Sequence, residues 1–421
     1  MTTQLLPKDR SLSKLVGHFP ALDKTCRSIL FKKLAGLKHG FLSIQDGGEK
    51  HEFGDPKSNL AVKLTIHRSS FYSRTLFGGS IGNGESYVDR DWDTSDLTAL
   101  MRLFVLNREL LQSIDTGLGS LLQPVQKLFH GLRSNTIDGS RENIRSHYDI
   151  GNDFFKLFLD ETMMYSSGIY AEKDTDLLTA SLKKIQTICE KLELKATDHL
   201  MEIGTGWGSL AIYAAKNFGC KVTTTTISTE QFNYATERVK AEGLEGQVTV
   251  LFEDYRKLTG VYDKLVSIEM IEAVGLDHLN VYFEKCSSLI KPDGLMVLQA
   301  ITIRDQFYQN ASKNVDFIQR HIFPGCGIPS VNAMLKAITL KTDLVMADQK
   351  DFAEDYAQTL LHWSQRLEKN KQEVLKLGYP EFLPRLWQYY FSYCEGGFRE
   401  RAIGLSQIVL TKPNYRNRSL V

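Results

Sequence analysis

The chain has 421 residues, 51 Lys and Arg against 50 Asp and Glu, a formal net charge of +1 and 42% hydrophobic residues. That length calls for two domains, and that composition is of an ordinary globular protein rather than a disordered or fibrous one. The balanced charge excludes a chain-wide polyanion binder; no apolar run approaches the roughly 18 residues of a membrane span, and six scattered cysteines without a CxxC pair exclude a zinc ribbon and a disulfide framework. The N-terminus lacks the apolar core of a signal peptide, so a reducing, cytoplasmic setting is expected.

In chain order, residues 1–40 carry eight basic side chains (Lys8, Arg10, Lys14, Lys24, Arg27, Lys32, Lys33, Lys38) against two acids (Asp9, Asp23). They alternate with Leu15, Val16, Phe19, Ile29, Leu30 and Phe31. This pattern suits either a solvated helical face or a surface that docks on anionic lipid. Alternation over residues 60–66 predicts a strand, and Gly78–Gly84 reads as a glycine-rich turn. The period over 96–104 predicts a helix capped by Asp93, Thr94 or Ser95. Residues 1–120 are therefore read as an N-terminal α+β docking domain, and 121–145 as a linker.

From 146 to 421 the pattern becomes that of a larger α/β domain. Helices are predicted over 153–159, 175–193, 208–217, 229–242 and 278–290, and strands over 199–203, 220–226, 248–252, 264–268 and 295–301. Alternating strands and helices imply a parallel sheet covered on both faces, with ligands beyond the strands' carboxyl ends. Residues 305–395 are rich in aromatics and read as a helical insertion before a last strand at 403–410. Its aromatics make either ordinary core or an apolar cavity for a hydrophobic substrate.

The stretch Leu200-Met-Glu-Ile-Gly-Thr-Gly-Trp-Gly-Ser209 reads as a strand, a turn of three glycines and a helix start. Such a turn lets a ligand approach the backbone and presents free N–H groups. Its G-x-G-x-G spacing is not the G-x-G-x-x-G of a dinucleotide site. It resembles the first motif of class I S-adenosylmethionine-dependent methyltransferases, which implies their Rossmann-like sheet.

Four further segments resemble the cyclopropane-fatty-acyl-phospholipid synthase family, which includes the mycolic acid cyclopropane synthases. They are 147–155 continuing through 159–167, 269–275, 317–330 and 393–401. Residues 84–93 resemble a weaker motif of that family's N-terminal domain. The resemblance implies transfer of a methylene or methyl group from S-adenosylmethionine to a cis double bond of a phospholipid acyl chain, first of all giving a cyclopropane. A methyl-branched or methylene chain is the alternative product, and a non-catalytic lipid-binding protein the alternative of another class. It also implies a peripheral position at the inner membrane face and a homodimer by analogy, with no nucleic acid and no metal.

Residues carried over as cofactor contacts are Tyr165 and Ser166, the glycine turn with Glu202, Gly204, Gly206, Trp207 and Gly208, then Thr226, Ser228 and Gln231, and Asp254 with Tyr255. In place of the usual ribose acid, Thr226, Ser228 and Gln231 offer hydrogen bonds. Asp254 is read as an acceptor for the adenine amine and Tyr255 as a stacking ring. The family's catalytic base is a bound bicarbonate, and the residues that would hold it here are Ser167, Glu272, Gln299, Tyr356 and Ile301 through its backbone. The chain departs from the family at Ser167 (commonly Cys), Gln299 (His) and Ala273 (His). Cys394 matches a cysteine proposed as catalytic in the family.

Overall fold

The computed structural model describes residues 20–110, 150–172 and 174–416. The expected linker and residues 1–19 of the basic N-terminal segment lie outside the described residues. The chain forms two compact units. The first takes, among the described residues, 20–110, 314–324 and 363–402; the second takes the remainder.

The first unit begins with α1 (Pro20–Leu34) and a four-stranded sheet of order β2-β1-β3-β4. β1 (Phe41–Asp46) pairs antiparallel with β2 (Glu49–Gly54) and parallel with β3 (Ala61–Ile66). The alternation that predicts β3 is real: Val62, Leu64 and Ile66 are buried and Ala61 and Lys63 exposed. The glycine-rich stretch does turn the chain, but between two helical segments, so that Asn83 Nδ2 donates to Thr75 Oγ1 at 3.3 Å. It lies inside α2 (Ser70–Val88), which bends at Gly79, where φ is 54° and ψ −136°. Burial of Phe71, Tyr72, Leu76, Ile81 and Val88 outweighs the poor helix propensity of the glycines. β4 (Trp92–Thr94) pairs antiparallel with β3. The chain therefore stays extended past the expected caps, and Asp96 caps α3 (Leu97–Leu106) by accepting from the Ala99 N–H at 2.8 Å.

In the second unit the elements follow the predicted alternation: α4 (Leu177–Lys191), β5 (His199–Ile203), α5 (Ser209–Phe218), β6 (Lys221–Thr226), α6 (Thr229–Ala241), β7 (Val248–Phe252), β8 (Tyr262–Ile268), α7 (Leu279–Ser288) and β9 (Ile290–Ile303). β10 (Val345–Asp351) and β11 (Ile403–Thr411) complete a seven-stranded sheet of order β10-β11-β9-β8-β5-β6-β7. β5 to β9 are parallel, and β11 and β10 are added antiparallel. Side chains alternate between two apolar layers. Leu200, Val266, Val297 and Val409 join one with Ile188 and Leu210. Met201, Leu265, Met296, Leu298 and Ile408 join the other with Tyr282 and Phe283.

The expected domain boundary needs correction at the aromatic insertion. Between β9 and β11 run α8 (Phe317–His321), α9 (Val331–Lys341), α10 (Ala353–Lys369) and α11 (Phe382–Arg399). The segment containing α8, and α11, cluster with the N-terminal unit. Polar contacts fix them there: Glu395 accepts from Thr98 Oγ1 at 2.9 Å, and Arg385 bonds Asp93 and the carbonyls of Tyr87 and Trp92. These partners lie about 290 positions apart in sequence, so spacing does not reveal them. Gly84 belongs to the same packing. A Cβ there would sit 2.3 Å from the Phe317 ring and 2.9 Å from that of Tyr389. Gly84→Val is expected to cost about 1–3 kcal/mol or more by overpacking. Gly78→Ala, where a Cβ meets nothing within 4 Å, should stay within about 0.5 kcal/mol of the parent. Thermal unfolding of the two variants checks the contrast.

Candidate functional site

Because β5 to β8 run parallel, the turns that follow them open on one edge of the sheet. Hydrogen bonds tie these turns together. The N–H groups of Gly204 and Thr205 donate to the Thr225 carbonyl, Thr225 Oγ1 to that of Glu253, and Ser267 Oγ to that of Ile203. The three glycines of the turn all have positive φ, at 107°, 52° and 88°. A side chain at these positions would be strained, which explains why the turn is built of glycine. Gly208 is the N-cap of α5. Glu202, on the last turn-facing residues of β5, is buried, and burial pushes its carboxyl up to about 8. Its Oε2 is buried with no hydrogen-bond partner. A buried acid with an unpartnered oxygen beside the glycine turn fits a cofactor with an ammonium group and hydroxyls to donate.

The other expected cofactor residues divide. Trp207 donates to Asn152 Oδ1 at 2.7 Å and packs on Phe155 with ring centroids 5.1 Å apart; Tyr165 packs on the same Phe155 at 5.3 Å. The entry segment thus forms an aromatic wall beside the glycine turn. Arg238 of α6, which sequence reading passed over, staples the two: its Nη1 donates to the carbonyls of Thr162 and Trp207 and to Ser209 Oγ. Ser228 is the N-cap of α6, accepting from the Gln231 N–H, and Thr226 Oγ1 donates to Gln231 Oε1 at 2.8 Å. These three side chains serve one another. Asp254 is likewise engaged: both of its oxygens accept from the Arg256 guanidinium, at 2.8 and 2.6 Å, and Oδ1 also accepts the Arg256 N–H. The expected adenine acceptor is thus held by a neighbouring cation. Tyr255 packs edge-on against Tyr282 at 5.6 Å.

The residues read as holding an anion do converge, but on side chains of the chain itself. The Ser167 N–H donates to Glu269 Oε1 at 3.0 Å, Gln299 Nε2 to the same oxygen at 2.7 Å, and Tyr356 O–H to Glu269 Oε2 at 2.6 Å. Gln407 Nε2 donates to Gln299 Oε1 at 2.8 Å, which turns the Gln299 amide so that its NH2 faces Glu269. The Ser167 hydroxyl itself donates to the Gly168 carbonyl. Ile301 N–H donates to Glu272 Oε1 at 2.5 Å, while Glu272 Oε2 is buried with no hydrogen-bond partner. Glu269 was missed in the sequence although it stands three residues before Glu272. A glutamate directly after β8 gives no signal of its own until the distant donors are seen to meet it.

Burial raises the Glu269 carboxyl, opposed by the hydrogen bonds from Tyr356 and Gln299. Burial, and then the charge of Glu269, push Glu272 up to about 8. At neutral pH the pair is therefore best described as one carboxylate held by three donors beside one protonated acid. A carboxylate fixed in this way can accept a proton from a carbon acid or stabilise a nearby cation. Glu269 also takes φ of 48°, the left-handed region that a non-glycine residue enters at a cost of about 1–2 kcal/mol. Such an outlier at a functional candidate is a hint of use rather than of packing.

Cys394 lies on α11 in the first unit, whereas the glutamates and the glycine turn lie in the second. Burial pushes its thiol well above the ordinary range, the opposite of an activated thiolate.

Comparison with known proteins gives four concordant results. A family model described as mycolic acid cyclopropane synthetase matches residues 136–408. The tuberculostearic acid methyltransferase UfaA1 of Mycobacterium tuberculosis is 34% identical over 414 residues, 94% of this chain and 95% of its own. The cyclopropane-fatty-acyl-phospholipid synthase of Escherichia coli is 34% identical over 352 residues, 83% of this chain and 87% of its own. Among solved structures, mycolic acid cyclopropane synthase CmaA1 complexed with SAH and CTAB aligns with a TM-score of 0.61 at 27% identity, covering 65% of this chain and 98% of that one.

Proposed function

This chain belongs to the mycolic acid cyclopropane synthetase family and is an S-adenosylmethionine-dependent methyltransferase acting on unsaturated lipid acyl chains, and on that premise we propose that Glu269 is its proton-accepting base, in the place the family gives to bicarbonate. The single observation that carries this reading is the convergence of Ser167 N–H, Gln299 and Tyr356 on the Glu269 carboxylate. A bound bicarbonate would compete with two glutamates for those donors and for the Ile301 N–H. It would also add a further negative charge to a buried cluster. The residues present therefore do not fit the anion.

They do fit the cofactor, with the glycine turn, Glu202 and the Tyr165–Trp207 wall as its walls. When bound, S-adenosylmethionine supplies an electrophilic methyl group, which a cis double bond takes up to leave a cation on the neighbouring carbon. The aromatic wall excludes water that would capture that cation. Glu269 then takes one proton from the transferred methyl group, and that C–H pair becomes either the ring-closing bond of a cyclopropane or the π bond of a methylene branch. Tyr356, Gln299 and the Ser167 N–H keep the carboxylate oriented while it waits. Glu272, neutral beside it, adds no second charge to repel the first.

The product depends on where the cation sits at that moment. Proton loss at once closes a cyclopropane. Proton loss after a hydride shift from the methylated carbon to its neighbour leaves a methylene branch, which a separate reductant converts to a methyl branch. We assign the branched product to this chain. Support comes from its departures at Ser167, Gln299 and Ala273 and from the near full-length match to a tuberculostearic acid methyltransferase. The second reading, a cyclopropane, is supported by the equal identity to a cyclopropane synthase. The substrate is proposed to be a phospholipid, met at the inner membrane face by the basic N-terminal unit; no helix among the described residues is long and apolar enough to cross a membrane. A homodimer remains the expectation by analogy.

The test is incubation with S-adenosylmethionine and vesicles of cis-unsaturated phospholipid, in buffer stripped of bicarbonate, with NMR and mass analysis of the acyl chains. Terminal methylene (C=CH2) protons and a gain of CH2 are expected. Upfield ring protons would establish the cyclopropane instead, and strict dependence on added bicarbonate would overturn the role of Glu269.

A further inference from the structure

Lys184 of α4 is fully buried, although lysine is among the residues least often found inside unless paired. Its Nζ donates to Ser166 Oγ at 2.7 Å, and Ser166 stands beside Ser167, whose N–H holds Glu269. Three carboxylates act on its charge: Glu269 beyond β8, Asp160 of the entry segment and Glu202 of β5. Asp160 has its own donors in Thr162 and Ser181. The other two do not have an opposite charge among those donors. Glu269 accepts from neutral groups only, Ser167, Gln299 and Tyr356, and Glu202 keeps an unpartnered oxygen.

We propose that Lys184 is a positioning residue for the reaction: its buried ammonium keeps Glu269 ionised and at the same time holds Ser166 of the cofactor wall, so that the base and the cofactor site are set by one charge. This rests on the reading of Glu269 as base. Burial lowers the Lys184 pKa to about 8, with Glu269, Asp160 and Glu202 opposing. Lysine is thus still charged at neutral pH, where Glu269 must be ionised. The groups that face Glu269 are then Lys184 from α4, Ser167 from the entry segment, Glu272 after β8, Gln299 from β9 and Tyr356 from α10. Only Lys184 among them brings positive charge.

The measurement is the pH profile of kcat for Lys184→Met, against S-adenosylmethionine and cis-unsaturated phospholipid vesicles, together with cofactor Kd. The acid limb, which reports ionisation of Glu269, is expected to move up by roughly one pH unit or more, and kcat at pH 7 to fall roughly tenfold or more, with a smaller change in Kd. An unmoved acid limb in a folded Lys184→Met protein would overturn the proposal. Should the variant fold poorly, the double variant Lys184→Met/Glu269→Gln decides by unfolding: removing the carboxylate's charge must restore stability lost by removing the ammonium. A double variant no more stable than Lys184→Met overturns the proposal. This stability coupling reads the pair without any turnover, so it stands or falls separately from the role of Glu269 as base.

Discussion

Glu269→Gln is expected to lower turnover roughly 10²–10⁴-fold, the usual span for loss of a positioned general base. The substitution keeps the shape and one acceptor oxygen, enough for either the Ser167 N–H with Gln299 or Tyr356 but not for both, and it removes the ability to take a proton. Cofactor Kd is expected to change less than about threefold, which separates loss of chemistry from loss of binding. A sharper form uses the backbone. Glu269 already has φ of 48°, a conformation glycine adopts freely, so Glu269→Gly empties the carboxylate position without new backbone strain. Added bicarbonate or formate is then expected to restore part of the activity of Glu269→Gly while leaving the parent unchanged. Turnover of Glu269→Gln within a few-fold of the parent would remove Glu269 from the mechanism.

Glu272→Gln is expected to behave in the opposite way at neutral pH, despite lying only three residues on. Burial and the charge of Glu269 raise its carboxyl to about 8 from an ordinary 4.5. At pH 7 it is mostly protonated, and glutamine is a close copy of a protonated glutamate, with an oxygen still able to accept from Ile301 N–H. Turnover at pH 7 should therefore stay within roughly tenfold of the parent, far above that of Glu269→Gln. Stability carries the larger signature. Between pH 4.5 and about 8 the folded protein holds a proton that the unfolded chain releases, so this group lowers stability progressively as pH rises through that window. The slope is up to about 1.4 kcal/mol per pH unit, with no further loss above the folded value. Glu272→Gln removes this slope. Its unfolding temperature relative to the parent should accordingly be higher at pH 8 than at pH 5, and an equal difference at both pH values would show that Glu272 is ionised throughout.

The two variants together show how far the sequence carried the site. Ser167, Gln299, Ile301, Glu272 and Tyr356 were all legible from motifs, and all of them do meet. What they meet was not legible. Glu269 has no partner within three residues of itself; its donors come from positions 30, 87 and 102 residues away. Likewise Lys184 looks like any lysine in an amphipathic helix until Ser166 and the carboxylates are placed around it. The cofactor residues split for a similar reason: Asp254 and Ser228 have the right chemistry and the right places after strands, and short-range partners, Arg256 and the Gln231 N–H, already engage them within the chain.

The sheet was readable because its signals are local. A parallel strand buried on both faces is a short apolar run, a helix has its 3.6-residue period, and three glycines in five positions mark a turn that only positive φ can make. From these the sequence by itself determined a methyltransferase-type sheet, its element order and the edge on which ligands bind. Only the tertiary structure decided that helical segments flank the break at Gly79, that α8 and α11 cluster with the N-terminal unit, and that a glutamate of the chain takes the Ser167, Gln299 and Tyr356 donors. Each of these depends on burial or on hydrogen bonds between positions far apart in the chain. Such interactions outweigh local propensity by a kilocalorie or more and leave no periodic trace in the sequence.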